Sequence, residues 1–366
     1  MSKPLIDADI KKAATLPSSY YTDSSLFLKF FQSMNQTWQA IGHESEFHST
    51  VHPLIHLEDV FQQPLIRTNF ENETSILSNV CTHRGMILCQ QSTDQKTIQC
   101  PYHGRTFHLN GDLKHMPGFD EVENFPTSSD DLPTFNHHVW NGIEFTSMNP
   151  LVPFETWIKP MAERMQWWGQ QSSLKHDPTR DRQWDIKANW MLYVDNYLEG
   201  FHIPFVHPEL NDALSNEAYL TECFEGGVLQ IGLAKEGDVC FDIPEGHIDA
   251  GKRIAAYYWW MFPNLMFNFY PWGLSLNMVM PIDVETTRIL FRSYVQHPHL
   301  LELGAGAELD KVELQDQFVV EGCMRGLKSQ NYERGRYAPE HEKGVHHFHR
   351  ILTTSFSGKT SPTHQK

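Results

Sequence analysis

The stretch Cys81-Thr82-His83-Arg84-Gly85, answered by Cys100-Pro101-Tyr102-His103-Gly104, decides how this chain is read. Each segment offers one cysteine and one histidine, and 16 residues separate His83 from Cys100. Two thiolates and two imidazoles arriving on two similar loops match the ligand set of a Rieske [2Fe–2S] cluster, in which one iron takes both sulfurs and the other both ring nitrogens. Gly85 and Gly104 stand where each loop must turn tightly beside an inorganic core, a place suited to positive φ. A structural Cys2His2 zinc site is the competing reading, although zinc modules more often pair cysteine with cysteine and histidine with histidine. Cys89, between the loops, reads as a small buried hydrophobe.

Outward from these loops, residues 53–149 have the character of short strands separated by turns. Thr74 to Val80 and Thr97 to Gln99 are strand candidates, and Arg105 to Leu109 runs into Asn110-Gly111, a dipeptide suited to a type I′ hairpin turn. This is an all-β module. Upstream, Ser25 to Gly42 is expected to be helical, with Phe27, Phe30, Phe31 and Met34 at helical spacing. Downstream of Trp184 the pattern mixes a helical stretch (Asn189 to Phe201), strands (Ala255 to Met261, Leu274 to Met280) and a long amphipathic helix over Leu309 to Leu327. That half reads as α+β. The expected organisation is an N-terminal helical segment over 1–42 packing on the catalytic domain, the all-β module over 43–150, and the α+β domain over 151–366, ending in a short polar tail after Phe356.

A second group of ligand-type residues lies in Asp195-Asn-Tyr-Leu-Glu199-Gly-Phe-His202-Ile-Pro204-Phe-Val-His207. Two histidines with a nearby carboxylate form part of a facial triad, the open-sided site of non-haem Fe(II) proteins that use O2. His202 and His207 are five apart, about 140° of rotation on an unbroken helix, so they would not share a face. Pro204 is expected to interrupt the helix and swing His207 back. Glu199, three before His202, shares its face. A third ligand must come from further along. Asp310, Glu313, Asp316 and Glu321 all compete on the downstream helix, and Asp316 is the choice, although spacing alone does not select it. His341, His346, His347 and His349 look like a metal tract but have no accompanying cysteine, and are expected to be structural. The aromatic run Tyr257-Tyr-Trp-Trp260, with Phe262, Phe267, Phe269, Tyr270 and Trp272, reads first as strand core. A cation–π cage for a quaternary ammonium is its alternative.

Bulk properties narrow the field. With 366 residues, 40% hydrophobic and 20% charged, the chain has material for an ordinary globular core of two domains. Twenty-nine basic against 45 acidic residues give a formal net charge of −16, which argues against a nucleic-acid or anionic-membrane surface. The N-terminus lacks an apolar secretory core. The longest strongly apolar run, Ile254 to Phe262, is too short to span a bilayer. Six cysteines, two of them in a ligand-like setting, fit a reducing cytoplasm. No Walker-type loop, no GxGxxG between strand and helix and no plant-type ferredoxin run is present, and Gly304-Ala-Gly306 alone does not make a nucleotide loop. Electrons are therefore expected to come from another protein.

Taken together, the motifs resemble the α subunits of Rieske non-haem iron ring-hydroxylating oxygenases over nearly the whole chain. The branch of choline monooxygenase-like and carnitine oxygenase-like enzymes is most similar, on Asn189-Trp190, the run Asp195 to Pro208, and Arg325-Gly-Leu-Lys-Ser-Gln-Asn-Tyr-Glu-Arg-Gly-Arg-Tyr-Ala-Pro-Glu340. The resemblance implies an all-β Rieske domain and a helix-grip (START-like) α+β catalytic domain, assembled as a trimer. It implies a [2Fe–2S] cluster on Cys81, His83, Cys100 and His103, and a mononuclear Fe(II) on His202, His207 and Asp316. Glu199 would bridge an iron-ligating histidine to a Rieske histidine of a neighbouring subunit. It further implies electrons from NAD(P)H through a separate flavin/iron–sulfur reductase, with or without a ferredoxin, and O2 used to hydroxylate a small organic substrate, a quaternary ammonium or an aromatic compound. Two positions depart from the pattern: Met324 stands where this branch often has Gln, and Arg105 where Trp commonly follows His103-Gly104. A stand-alone Rieske electron carrier and a zinc-stabilised helix-grip binding protein without redox activity are the competing functional readings.

Overall fold

Strands form here where β-branched and aromatic residues alternate between two environments, and glycine or asparagine closes the turns. The computed structural model describes residues 5–71, 73–169, 174–207 and 214–355. Pro208 and the polar tail after Phe356 lie outside the described residues. The chain divides into two compact units: Gln32–Ala162 with Leu174–His176, and Met1–Phe31, Glu163–Ser173 and Asp177–Lys366.

The smaller unit carries β1 (Gln39–His43), β2 (Val51–Pro53), β3 (Leu65–Phe70), β4 (Glu73–Ser78), β5 (Ile98–Gln99), β6 (Thr106–Phe107), β7 (Leu113–His115), β8 (Thr134–Trp140), β9 (Ile143–Ser147) and the short β10 (Lys175–His176). Strands pair antiparallel in the order β1-β9-β8-β4-β3-β2, with β5-β6-β7 as a second, three-stranded sheet. One cysteine loop follows β4 and the other joins β5 to β6. Cys81 and Cys100 belong to the buried cluster that includes Ile66, Leu77, Ile98 and Phe107. The thiols therefore face the core.

Two expectations for this region need correction. The helix expected over Ser25 to Gly42 ends at Ser33, a 3-10 turn follows at Met34–Gln36, and Gln39–His43 is a wholly buried strand paired with β9. Trp38, Ala40 and Ile41 serve strand packing as well as they would a helix stripe, and the partner strand decides. The Asn110-Gly111 turn is also not type I′: Gly111 alone has positive φ (98°), its N–H donates to the His108 carbonyl, and the Asn110 side chain accepts from the Asp112 N–H. The dipeptide with both residues at positive φ is Asn141-Gly142 (47° and 78°), which closes the β8–β9 hairpin with Trp140 opposite Ile143.

The larger unit is built on β11 (Arg182–Ile186), β12 (Leu214–Phe224), β13 (Gly227–Ala234), β14 (Ile254–Met261), β15 (Leu265–Tyr270), β16 (Gly273–Asp283) and β17 (Thr286–Val295). The order is β17-β16-β15-β14-β13-β12, antiparallel throughout, with β11 also pairing β17. All of β14 and β15 is buried on both faces. Phe348, from the Lys343–Ser355 helix, packs edge-on against Trp260 and Trp190. The expected helix over Leu309–Leu327 has those bounds, but its buried residues are Glu313, Val320 and Met324, whereas Leu314 and Phe318 are 53% and 77% exposed.

Gly142 cannot take a side chain, because a Cβ there would overlap the buried His43 ring and the backbone is already left-handed. Gly142→Ala is expected to cost about 2 kcal/mol, seen as a lower thermal midpoint for the smaller unit.

Candidate metal centres

The two cysteine loops are the same structure made twice. Cys81 N–H donates to the Met86 carbonyl and Gly85 N–H to the Cys81 carbonyl; Cys100 N–H donates to Arg105 and Gly104 N–H to Cys100 in the same order. Gly85 and Gly104 have φ of 72° and 75°, as the tight turns require. The Cys81 and Cys100 thiols are within hydrogen-bonding reach of each other, and burial pushes the Cys81 thiol up. The His83 and His103 rings lie 4.9 Å apart by centroid. Burial, with the nearby His103, Arg105 and Arg84, holds His83 down, so it is a neutral ring ready to ligate. His103 Nδ1 is buried without a hydrogen-bond partner. An orphaned ring nitrogen beside two buried thiols is what a metal cluster would satisfy.

One zinc ion fits poorly. Its tetrahedral ligands, at about 2.0–2.3 Å, would all lie within about 4 Å of each other. Among the described residues the one group of three such donors within 4.8 Å is found elsewhere in the chain. The four donors come as a pair of thiols in contact and a pair of imidazoles with ring centroids 4.9 Å apart, the pairing that a two-iron cluster needs.

That other group is His202, His207 and Asp316. His207 Nε2 is 2.9 Å and His202 Nε2 3.5 Å from Asp316 Oδ1. Folding achieves this differently from the expected proline break. The Trp190–Tyr197 helix, capped by the Asn189 side chain, stops at Leu198, well before the proline. A new four-residue helix, Ile203–Val206, then starts with Pro204 in its first turn, flanked by His202 and His207 as its caps. Proline belongs there because its missing N–H is not needed. Each imidazole is fixed by its other nitrogen: His202 Nδ1 lies 2.6 Å from Glu199 Oε1, and His207 Nδ1 lies 2.7 Å from Gln315 Oε1. Glu199 Oε2 accepts from the Phe201 and His202 N–H groups. Asn196 Nδ2 donates to Asp316 Oδ1 at 2.7 Å. Burial pulls His207 down, but its hydrogen bond and attraction to Asp316 outweigh this and raise its pKa. Both Nε2 atoms face one carboxylate, the donor set of an Fe(II) facial triad.

Of the competing acids, Asp310 pairs with Arg182 and Glu321 accepts from the Lys187 N–H, so neither joins the group. Glu313 is buried in the cavity wall, accepting from Tyr193 OH (2.6 Å) and Gln317 Nε2 (2.9 Å), and burial pushes it up to about 7. The third histidine group does not converge. His346 and His347 bond to the Asp7 and Phe224 carbonyls, His349 to Asp195 and Tyr337, and His341 stacks on Phe201. Cys89 is buried, with its thiol donating to the Gln91 carbonyl. Arg105 is buried and paired with Asp130 at 2.7 Å, its guanidinium over the Phe107 and Phe125 rings; Met324 is buried in its helix.

The triad opens into a cavity of about 110 Å3, whose wall includes Tyr193, Tyr197, Tyr219, Tyr258 and Tyr270. Strand alternation divides the aromatic run. Tyr258, Asn268, Tyr270, Ser275 and Asn277 look into the cavity, while Tyr257 bonds Asp249 and Phe269 packs on Trp168. The core expectation holds on one face, and the other face lines the cavity. Asn268, Ser275 and Asn277 escaped sequence reading; their signal is polar residues at every second position of otherwise apolar strands.

A model described as a Rieske [2Fe-2S] domain matches residues 37–126, and one described as the ring hydroxylating alpha subunit (catalytic domain) matches residues 168–357. The chain belongs to the ring-hydroxylating oxygenase alpha subunits of Rieske type. It is 30% identical to choline monooxygenase, chloroplastic, of Arabidopsis thaliana, over 94% of this chain and 83% of that protein. It is 26% identical to the carnitine monooxygenase oxygenase subunit of Escherichia coli (strain K12), over 95% of this chain and 96% of that protein. Its fold matches the solved quaternary ammonium Rieske monooxygenase CntA with a TM-score of 0.81 at 24% identity (97% of this chain, 99% of that one). For naphthalene 1,2-dioxygenase from Rhodococcus sp. the TM-score is 0.72 at 18% identity (94% and 95%). The chain is thus an oxidoreductase of a family that carries a Rieske cluster and a mononuclear Fe(II), uses O2 and works with a separate reductase. A stand-alone electron carrier and a redox-inactive binding protein give way to it. No described helix is long and apolar enough to cross a membrane.

Glu313 makes a pH prediction for the metal-free protein. A carboxyl whose folded pKa lies above its unfolded value stabilises most below pH 4.5 and loses that contribution as pH rises through about 7. Glu313→Gln is expected to remove a stability decline of up to about 3 kcal/mol between pH 4.5 and 8, measured by urea unfolding across that range.

Proposed function

We propose that this oxygenase hydroxylates a small quaternary ammonium compound at an iron held by His202, His207 and Asp316, supplied with electrons by a Rieske cluster on Cys81, His83, Cys100 and His103. The observation that carries the substrate class is the ring of tyrosines around the cavity. Tyr219 and Tyr258 lie 6.2 Å apart and near parallel, and Tyr270 meets Tyr258 edge-on at 5.9 Å. Burial raises the phenols of Tyr197, Tyr219, Tyr258 and Tyr270, so they stay neutral. A quaternary ammonium has no N–H to donate, so neutral aromatic faces are its natural site. Asn268, Ser275 and Asn277 offer hydrogen bonds to a hydroxyl or carboxylate at the other end of such a molecule. An aromatic hydrocarbon would use none of these groups and would leave the Glu313 carboxylate without a cation.

Iron bound to the triad supplies the activation of O2 for insertion into a C–H bond. The chain's own residues do the rest. Glu199 and Gln315 hold the two imidazoles by Nδ1, Asn196 orients Asp316, and the tyrosine wall excludes water and presents the substrate. In this reading Glu199 also joins His202 to a Rieske histidine of a neighbouring subunit in a homotrimer. Support for association comes from exposed Phe201, Phe205 and Phe318, apolar surface on the elements that carry the triad. The separate reductase is read as a flavin/iron–sulfur protein drawing on NAD(P)H, with or without a ferredoxin. Cysteines that form no disulfide among the described residues support reading the enzyme as one of a reducing compartment, the cytoplasm.

With a reductase supplied, choline or carnitine should drive O2 uptake matched to product, while naphthalene and indole should not; coupled turnover of the aromatics alone would overturn the substrate class. Asp316→Ala should lose the mononuclear iron and keep the Rieske visible spectrum. Glu199→Gln should keep both centres and lose electron transfer between them, so a normal single-turnover rate in that variant would remove Glu199 from the bridge.

A further inference from the structure

The cavity wall holds three carboxylates, and two are already committed. Glu199 is engaged at His202 Nδ1 and two backbone N–H groups, and Asp316 at Asn196 and the two imidazoles. Glu313 is the third. It is 4% exposed, and its partners are the neutral Tyr193 hydroxyl and Gln317 amide. Among the described residues no lysine, arginine or histidine pairs with it, and its charged neighbours, Asp316 and Asp310, are both acidic. A buried carboxylate without a cation is expensive to keep, and here burial already pushes its pKa up to about 7. Each of its oxygens retains a lone pair after the single hydrogen bond it accepts.

We propose that Glu313 is the counter-ion for the substrate's cationic headgroup, and so the residue that makes the site prefer a cation to a neutral molecule of the same shape; this rests on the quaternary ammonium reading above. The charge balance requires such a group. A divalent ion held by two neutral imidazoles and Asp316 keeps a net positive charge, and the Glu199 carboxylate on His202 brings that site only to neutrality, leaving nothing to offset an arriving cation. Tyrosine faces attract the ammonium but carry no compensating charge. An ionised Glu313 in the same wall supplies it, and the arriving cation supplies the partner that Glu313 lacks.

The test uses the iron-loaded, oxygen-free enzyme and calorimetric binding of two probes: choline and its uncharged carbon analogue, 3,3-dimethylbutan-1-ol. Wild type should prefer choline by about tenfold or more, and Glu313→Gln should weaken choline by about that factor while leaving the analogue unchanged. Glu313→Met, an apolar side chain of similar length, serves as a second variant should the first not fold, and should show the same loss of preference. Iron content and the Rieske spectrum check that both variants are intact. Choline affinity unchanged in the variants, or both probes weakened equally, would overturn the role of Glu313 and leave the substrate class standing. A wild type that binds neither probe, or both alike, would overturn the substrate class and the counter-ion with it.

Discussion

Two imidazoles share one ion with a carboxylate only if their remaining nitrogens are held elsewhere, and this constraint organises the larger unit. Glu199 takes Nδ1 of His202 and Gln315 takes Nδ1 of His207, so both Nε2 atoms are left facing Asp316. Gln315 and Asp316 are adjacent in the helix, so one turn supplies both the carboxylate of the proposed triad and the clamp on His207. The two histidines flank a helix too short to be a structural element in its own right, and its role is to set them apart at the required angle. If the Leu309–Leu327 helix slid by one residue, the carboxylate and the clamp would both be lost.

The sheet behind this arrangement does two jobs because its residues alternate. β14 and β15 are buried on both faces, which is unusual for an antiparallel sheet and follows from the helices and the cavity covering its sides. One face is dry packing around Trp259, Phe267 and Phe269. The other places tyrosines, asparagines and a serine against the triad. The smaller unit applies a similar economy to its loops: one hydrogen-bond pattern, used twice, buries the thiols and turns each histidine beside them.

How much of this could be read beforehand depended on whether the signal was local. The two Cys-x-His and Cys-x-x-His loops were legible because ligand type and spacing are covalent facts. The Leu309–Leu327 helix was legible because its period persists for five turns. Asp316 was not selectable by spacing, since only folding brings residue 316 to residue 207 while Asp310 finds Arg182. The proline beside His202 was visible, but whether it ended one helix or began another depended on the stop at Leu198. The two Asn-Gly dipeptides are identical in sequence, and only Asn141-Gly142 is flanked directly by paired strand residues, Trp140 and Ile143, that enforce the mirror-image turn. The strand at Gln39–His43 was hidden in a helix-like spacing that its partner β9 overrode.

The two-sided character of β14 to β16 bears on how such an enzyme changes. Neighbouring positions along each strand point in opposite directions, so exchanges at 258, 268, 270, 275 or 277 reshape the cavity from one face and leave the packing of Trp259, Phe267 and Phe269 on the other face in place. Substrate range and structural integrity are therefore encoded in interleaved but separable sets of residues. A lineage built this way can drift from one small molecule to another while the scaffold around it stays fixed.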